Sequence, residues 1–236
     1  MPRAPRKIVS GESYHVLNRA APRVKLFGEE ADYQDFVSAL GKAAELYPVE
    51  VLAYCLMPDH WHLVLRPRKA SALAEFMGWL GVTHVRRHQS RHGKRSGQLY
   101  HGRYKSFPVQ AGPHLVDLCR FVESNPARKS LVKQSEKWNH SSLSDRGAKS
   151  PRVKITKLPT SMPRNWNKLV DQPLDKAVAE RIKTSITRSR PLGEDAWTRS
   201  AASRHDLAHT LNPIGRPRKV VEEKPKKSGK KSKKRS

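Results

Sequence analysis

A chain of 236 residues, 36% hydrophobic and 29% charged, can hold one or two domains, and its 47 Lys and Arg against 21 Asp and Glu leave a net charge of +26. Such an excess calls for a polyanionic partner, most simply nucleic acid, and no apolar run nears the roughly 18 residues of a spanning helix, so no membrane partner is expected. The basic start Met1-Pro2-Arg3-Ala4-Pro5-Arg6-Lys7 has no apolar segment behind it, which argues against a secretory signal and for a cytoplasmic protein, with Cys55 and Cys119 as reduced core thiols.

Tyr14-His15-Val16-Leu17-Asn18-Arg19 reads as a first strand, entered from the Ser10-Gly11 turn. Tyr33, Phe36, Val37, Leu40 and Ala44 then recur at helical spacing, up to Tyr47-Pro48. The apolar run Val49 to Leu56 predicts a buried strand, and Pro58-Asp59 is turn chemistry. After that turn, His60-Trp61-His62-Leu63-Val64-Leu65 predicts the hairpin's second strand. Alternation puts His60 and His62 on one face and Trp61, Leu63 and Leu65 on the other, toward a core. Two imidazoles on one strand face are half of a metal site, or a polar sheet face and nothing more.

A second helix is expected after Ser71 as N-cap, with Leu73, Phe76, Met77 and Leu80 on one face. Its later turns carry His84, Arg86, Arg87, His88, Arg91 and His92, a solvated helix end or a surface for phosphates. A basic loop from Gly93 to Gly97 leads to Leu99 through Gln110 and another strand, in which Arg103, Tyr104 and Lys105 interleave cations with an aromatic as single-strand-binding surfaces do. A buried Tyr104 is the alternative. Gly112-Pro113 opens a third helix and Asn125-Pro126 closes it. Its core stripe is Leu115, Leu118, Cys119 and Val122, with Phe121 about 110° from the stripe's centre and beside Asn125 at i+4.

Strand, helix, hairpin, helix, strand, helix predicts an α+β fold, a ferredoxin-like or RRM-like antiparallel sheet sandwich. The helices then cover one sheet face. Either the third helix crosses the other, or His60 and His62 have no partner. Beyond Trp138 to Leu143 the composition turns polar and basic. The expected layout is a domain over 8–143, a linker over 144–160, a helical DNA-binding appendage over 161–219 and a disordered Lys-rich tail over 220–236. Leu174, Val178, Ile182 and Ile186 mark one helix of the appendage, and Gly215-Arg216-Pro217-Arg218 resembles a minor-groove hook or is an ordinary basic linker.

Four segments in this order resemble one family: Tyr14 to Arg19, Leu56 to Leu65, Gly102 to Ser106, and Arg120-Phe121-Val122-Glu123-Ser124-Asn125-Pro126. They are similar to those of the single-tyrosine HUH transposases, among them the REP-associated tyrosine transposases. The resemblance implies an endonuclease and strand-transfer enzyme of DNA transposition, acting on single-stranded DNA at hairpin repeats and associated with the nucleoid. It also implies a divalent cation, Mg or Mn, held by His60, His62 and Asn125, and a tyrosine oxygen that attacks the polarised phosphate to give a 5′-phosphotyrosine. The nucleophile's position, however, holds Phe121, which has the ring and no oxygen.

Three readings of that departure stay open: a catalytically silent copy that still binds hairpin DNA, a loss confined to this chain, or rescue by the hydroxyl of Tyr104 or Tyr100. An RNA-binding sandwich is a further alternative, disfavoured by the histidine pair. Arg86, Arg87, Arg91, Arg103, Tyr104, Lys105, Arg216 and Arg218 are the candidate nucleic-acid contacts, and a homodimer is left open.

Overall fold

The computed structural model describes residues 6–93 and 97–213. Residues 94–96 of the basic loop, Arg216, Arg218 and the tail 220–236 lie outside the described residues. Strands β1 (Ser13–Arg19) and β3 (His60–Pro67) pair antiparallel at the centre of a four-stranded sheet, with β2 (Val49–Met57) beside β3 and β4 (Lys105–Val109) beside β1. The order β2-β3-β1-β4 is that of the ferredoxin-like sandwich. Pro108 sits on the edge strand β4, where a missing N–H is tolerated.

Side-chain alternation divides the apolar residues between two cores. Tyr14, Val16, Trp61, Leu63 and Leu65 point to one face and pack on Phe36 and Leu40 of α1 (Glu30–Leu46) and on Leu73, Phe76 and Leu80 of α2 (Ala72–His92). Cys55, Met57, Val64, Phe107 and Val109 point to the other, under Leu115, Leu118, Cys119 and Val122 of α3 (Pro113–Glu123). The third helix thus crosses the histidine face, and both faces are covered. Each large apolar side chain buried this way contributes about 1.5–3 kcal/mol over leaving it in water.

Two helix ends differ from expectation. Ser71 stands at the N-cap of α2 but has helical backbone angles, and its hydroxyl caps nothing; its carbonyl instead accepts from Ala74 and Glu75. The third helix does not stop at Asn125-Pro126. It breaks at Ser124, because Pro126 has no N–H to donate, and then makes one more turn, α4 (Asn125–Arg128).

Residues 144–160 are not a free tether. Val153 is buried, Ile155 bridges Val51 in parallel, and the Thr156 N–H donates to the Val51 carbonyl at 2.8 Å, so the stretch shields the open edge of β2. The opposite edge is covered where Leu192 bridges Val109. Between these, α5 (Ser142–Asp145), α6 (Trp166–Asp171) and α7 (Lys176–Arg188) pack around α3. Glu123, fully buried at the end of α3, accepts from Trp166 Nε1 at 2.5 Å, from Arg146 Nε at 2.7 Å and from the Ser142 hydroxyl. Helix α8 (Asp195–Arg204) reaches back to the start of β1, where Arg204 and His205 both bond Glu12.

Candidate metal and nucleic-acid site

The antiparallel register sets the site. His62 lies opposite Leu17 and His60 opposite Arg19, so both imidazoles stand at the end of β3 on the face that α3 crosses. Their rings meet edge to face with centroids 5.1 Å apart. Asp59, in the hairpin turn, accepts from His60 Nδ1 at 2.6 Å, which leaves His60 Nε2 turned to the Asn125 amide, 3.2 Å away. His62 Nδ1 lies 2.9 Å from Nε2 of His15 on β1.

On the helix side the path survives the break at Ser124, since the Ser124 N–H donates to Arg120 and the Arg128 N–H to Ser124. Phe121 and Asn125 therefore keep one flank. The Phe121 ring is 5% exposed, and the guanidinium of Arg128 lies over it at 3.8 Å while donating to the Phe121 carbonyl at 2.8 Å and to Asn125 Oδ1 at 3.1 Å.

Burial decides the charge state of the inner pair. It lowers the His15 pKa from 6.5 to about 3, and together with the nearby His15, His60 and Arg128 it holds His62 well below the ordinary range. Neutral imidazoles are what a cation needs. Burial also raises Asp59, but its hydrogen bond from His60 and the charges of His60 and Arg19 outweigh this and leave its pKa lowered. Cys55 and Cys119 are buried, and burial raises both thiols far from reactivity.

Two imidazole nitrogens and an amide suit a divalent cation of mixed N and O preference. The amide as placed offers its NH2 to His60 and its oxygen to Arg128. Ligation through Asn125 Oδ1 requires a half-turn of that amide, which releases Arg128. A second grouping among the described residues, Glu29, Asp32 and His92, brings donor atoms within 4.8 Å of one another. Arg91 stands 3.7 Å from Glu29 and 3.6 Å from Asp32 and already supplies the positive charge there.

The expected nucleic-acid contacts separate. Arg86 and Arg103 are exposed and pair with no described residue. Arg87 donates to the Asp35 carbonyl at 2.6 Å, and Arg91 pairs with the Asp35 carboxylate at 2.6 Å, so both knit α2 to α1. Lys105 Nζ caps the end of α7 through the carbonyls of Ile186 and Thr187. Tyr104 packs against the α1–α2 core with Arg6 over its ring at 4.1 Å. The Tyr100 hydroxyl bridges His84 Nδ1 at 2.6 Å and Trp61 Nε1 at 3.1 Å. Both tyrosines therefore belong to the sheet face opposite His60 and His62, which removes the geometric basis for rescue.

Three side chains beside the site, His15, Arg19 and Arg128, carry no signal of their own in the sequence. His15, Leu17 and Arg19 alternate on β1, and only the register to β3 brings His15 behind His62 and Arg19 across from His60. Arg128 reads as one more surface cation until the turn after Pro126 folds it back over Phe121.

This fold and this histidine face define a transposase-family domain. The family described as Transposase IS200 like matches residues 8–125, half of the chain, and the chain belongs to that family. A curated protein of Haemophilus influenzae, described as a REP-associated tyrosine transposase, is 25% identical over 122 residues, 48% of this chain and 69% of that protein. Among solved structures, a REP-associated tyrosine transposase bound to a REP hairpin superposes with a TM-score of 0.52 at 16% identity, over 69% of this chain and 98% of that one, a likeness of fold.

Proposed function

We propose that this chain binds hairpin-bearing single-stranded DNA in the setting of DNA transposition, holds a divalent cation, Mg or Mn, at His60, His62 and Asn125, and forms no covalent adduct with the DNA. One observation carries this reading. The place beside Asn125 where an attacking hydroxyl is needed holds the Phe121 ring, the Tyr100 hydroxyl serves the far sheet face, and Tyr104 packs on that same far face. When bound, the cation would polarise a phosphate oxygen of the strand.

The chain's own groups do the rest. Asp59 keeps the His60 proton on Nδ1, Asn125 closes the third side, and Arg128, once released by the amide, can meet the phosphate. Arg19, Arg86 and Arg103 add exposed positive charge for the backbone of the strand. The REP hairpin bound by the fold relative and the net charge of +26 both support DNA as the partner.

The test is a binding titration with a fluorescent hairpin carrying a single-stranded flank, against an unstructured strand of equal length. Preference for the hairpin is expected, with log affinity falling against log salt by about 0.7 per neutralised phosphate on single strands. Equal affinity for both strands would leave only unspecific polyanion binding. The alternative that retains cleavage and strand transfer keeps the same histidine half and requires a nucleophile other than Tyr100 and Tyr104.

A further inference from the structure

Behind the histidine pair stands a third histidine with one partner. His15 is 0% exposed, stacks on His62 with ring centroids 5.0 Å apart, and is closed off on another side by the edge of Phe107 at 5.1 Å. Its Nε2 meets His62 Nδ1 at 2.9 Å, and its Nδ1 is buried without a hydrogen-bond partner among the described residues. An unpaired polar atom in such a place is destabilising, so an apolar residue would serve packing better. The imidazole must do something an apolar side chain cannot.

What it can do is set a tautomer. A neutral imidazole carries one N–H, and the contact between His15 and His62 allows two arrangements. With the proton on His62 Nδ1, His62 donates to His15 Nε2 and its own Nε2, which bonds to no described residue, keeps a lone pair. With the proton on His15 Nε2, the His62 proton moves to Nε2 and closes that atom to a cation. Asp59 settles the same choice for His60, because a carboxylate only accepts and so fixes the proton on Nδ1.

We propose that His15 is the positioning residue of His62: as a buried acceptor it holds the His62 proton on Nδ1 and the ring in place, so that both histidines present Nε2 to one cation. This rests on the metal reading above. In that arrangement the His15 proton sits on Nδ1, which has no hydrogen-bond partner among the described residues.

The experiment compares the full chain with His15→Met, which keeps volume and removes the acceptor, His15→Gln, whose amide oxygen can stand where Nε2 stood, and the double variant His60→Ala, His62→Ala. Calorimetric titration with manganese alone should show His15→Met weakened about 10- to 100-fold, the range for loss of an orienting partner, and His15→Gln within a few-fold of the parent. Manganese affinity in His15→Met equal to that of the parent, with the double variant silent, would overturn the positioning role while leaving the metal site standing. A double variant that binds like the parent would instead remove the metal site itself. Imidazole ¹⁵N spectra of the metal-free protein provide a readout that needs no variant to fold. His62 should carry its proton on Nδ1 in the parent, and a proton on Nε2 would contradict the proposal outright.

Discussion

The strand half and the helix half of the site meet at Asn125 but are built in different ways. On β3 both imidazoles have Nδ1 engaged, His60 by Asp59 and His62 by His15, within a register fixed by two neighbouring strands. On α3 the corresponding place depends on one side chain, Phe121, held under Arg128 and offering no atom that can attack a phosphate. The strand half is a property of the sheet, whereas the helix half is a property of a single residue. Binding and chemistry can therefore part company here without any change of fold.

Glu123→Ala should have the largest effect, because it strikes the helix that carries the second half. It leaves the half-buried Arg146 without its carboxylate and frees Trp166 and Ser142, so a loss of about 3–5 kcal/mol is expected from the urea midpoint, with both halves failing together. A fully stable variant that lost only DNA binding would mean Glu123 acts in the site and not under it.

Acid acts next, on the α1–α2 face as well as on the buried His15 and His62. Burial lowers the His84 pKa from 6.5 to about 3 on the α1–α2 face, so the folded state binds fewer protons than the unfolded chain between those values. The contribution is fully present above about pH 6.5 and is lost as pH falls from there toward about 3. Between pH 6.5 and 4.5 one such group accounts for about 2–3 kcal/mol. His84→Met should therefore lose less stability than the parent over that interval, by denaturant melts at the two pH values. Equal losses would show that His84 is not buried neutral.

Smaller effects are expected from the exposed cations. Arg86→Ala and Arg103→Ala should each weaken DNA binding alike for all sequences and reduce the salt slope by about 0.7 where a phosphate contact is lost. Arg87→Ala and Arg91→Ala should instead act on stability, since both bond to Asp35. A loss of hairpin preference in Arg86→Ala would move recognition onto α2 and away from the site.

The fold was legible wherever periodicity carries it: the alternation of β1 and β3, the stripe of α3, and the shared flank of Phe121 and Asn125. What stayed hidden was long-range pairing. The basic run on α2 reads as a free phosphate surface because its neutralising partners, Glu29, Asp32 and Asp35, stand on another helix more than 50 residues away. Lys105 was masked in the same way by the end of α7. The stretch 144–160 averages out as polar, although Ile155 bridges the edge of β2 and Val153 and Leu158 are buried in the two cores. His15 needed the register, and Arg128 needed the extra turn that follows the break before Pro126.

The most direct test of this division between binding and chemistry adds one oxygen. Phe121→Tyr places a hydroxyl on a ring already set on the Asn125 flank, with the histidine half unchanged. Hairpin DNA labelled at its 3′ end is incubated with manganese and either protein, then run on a denaturing gel. The parent should bind the DNA yet show no label migrating with protein, and Phe121→Tyr should show a metal-dependent adduct. An adduct formed by the parent chain, or a Phe121→Tyr protein that binds DNA and manganese and still forms none, would contradict the account.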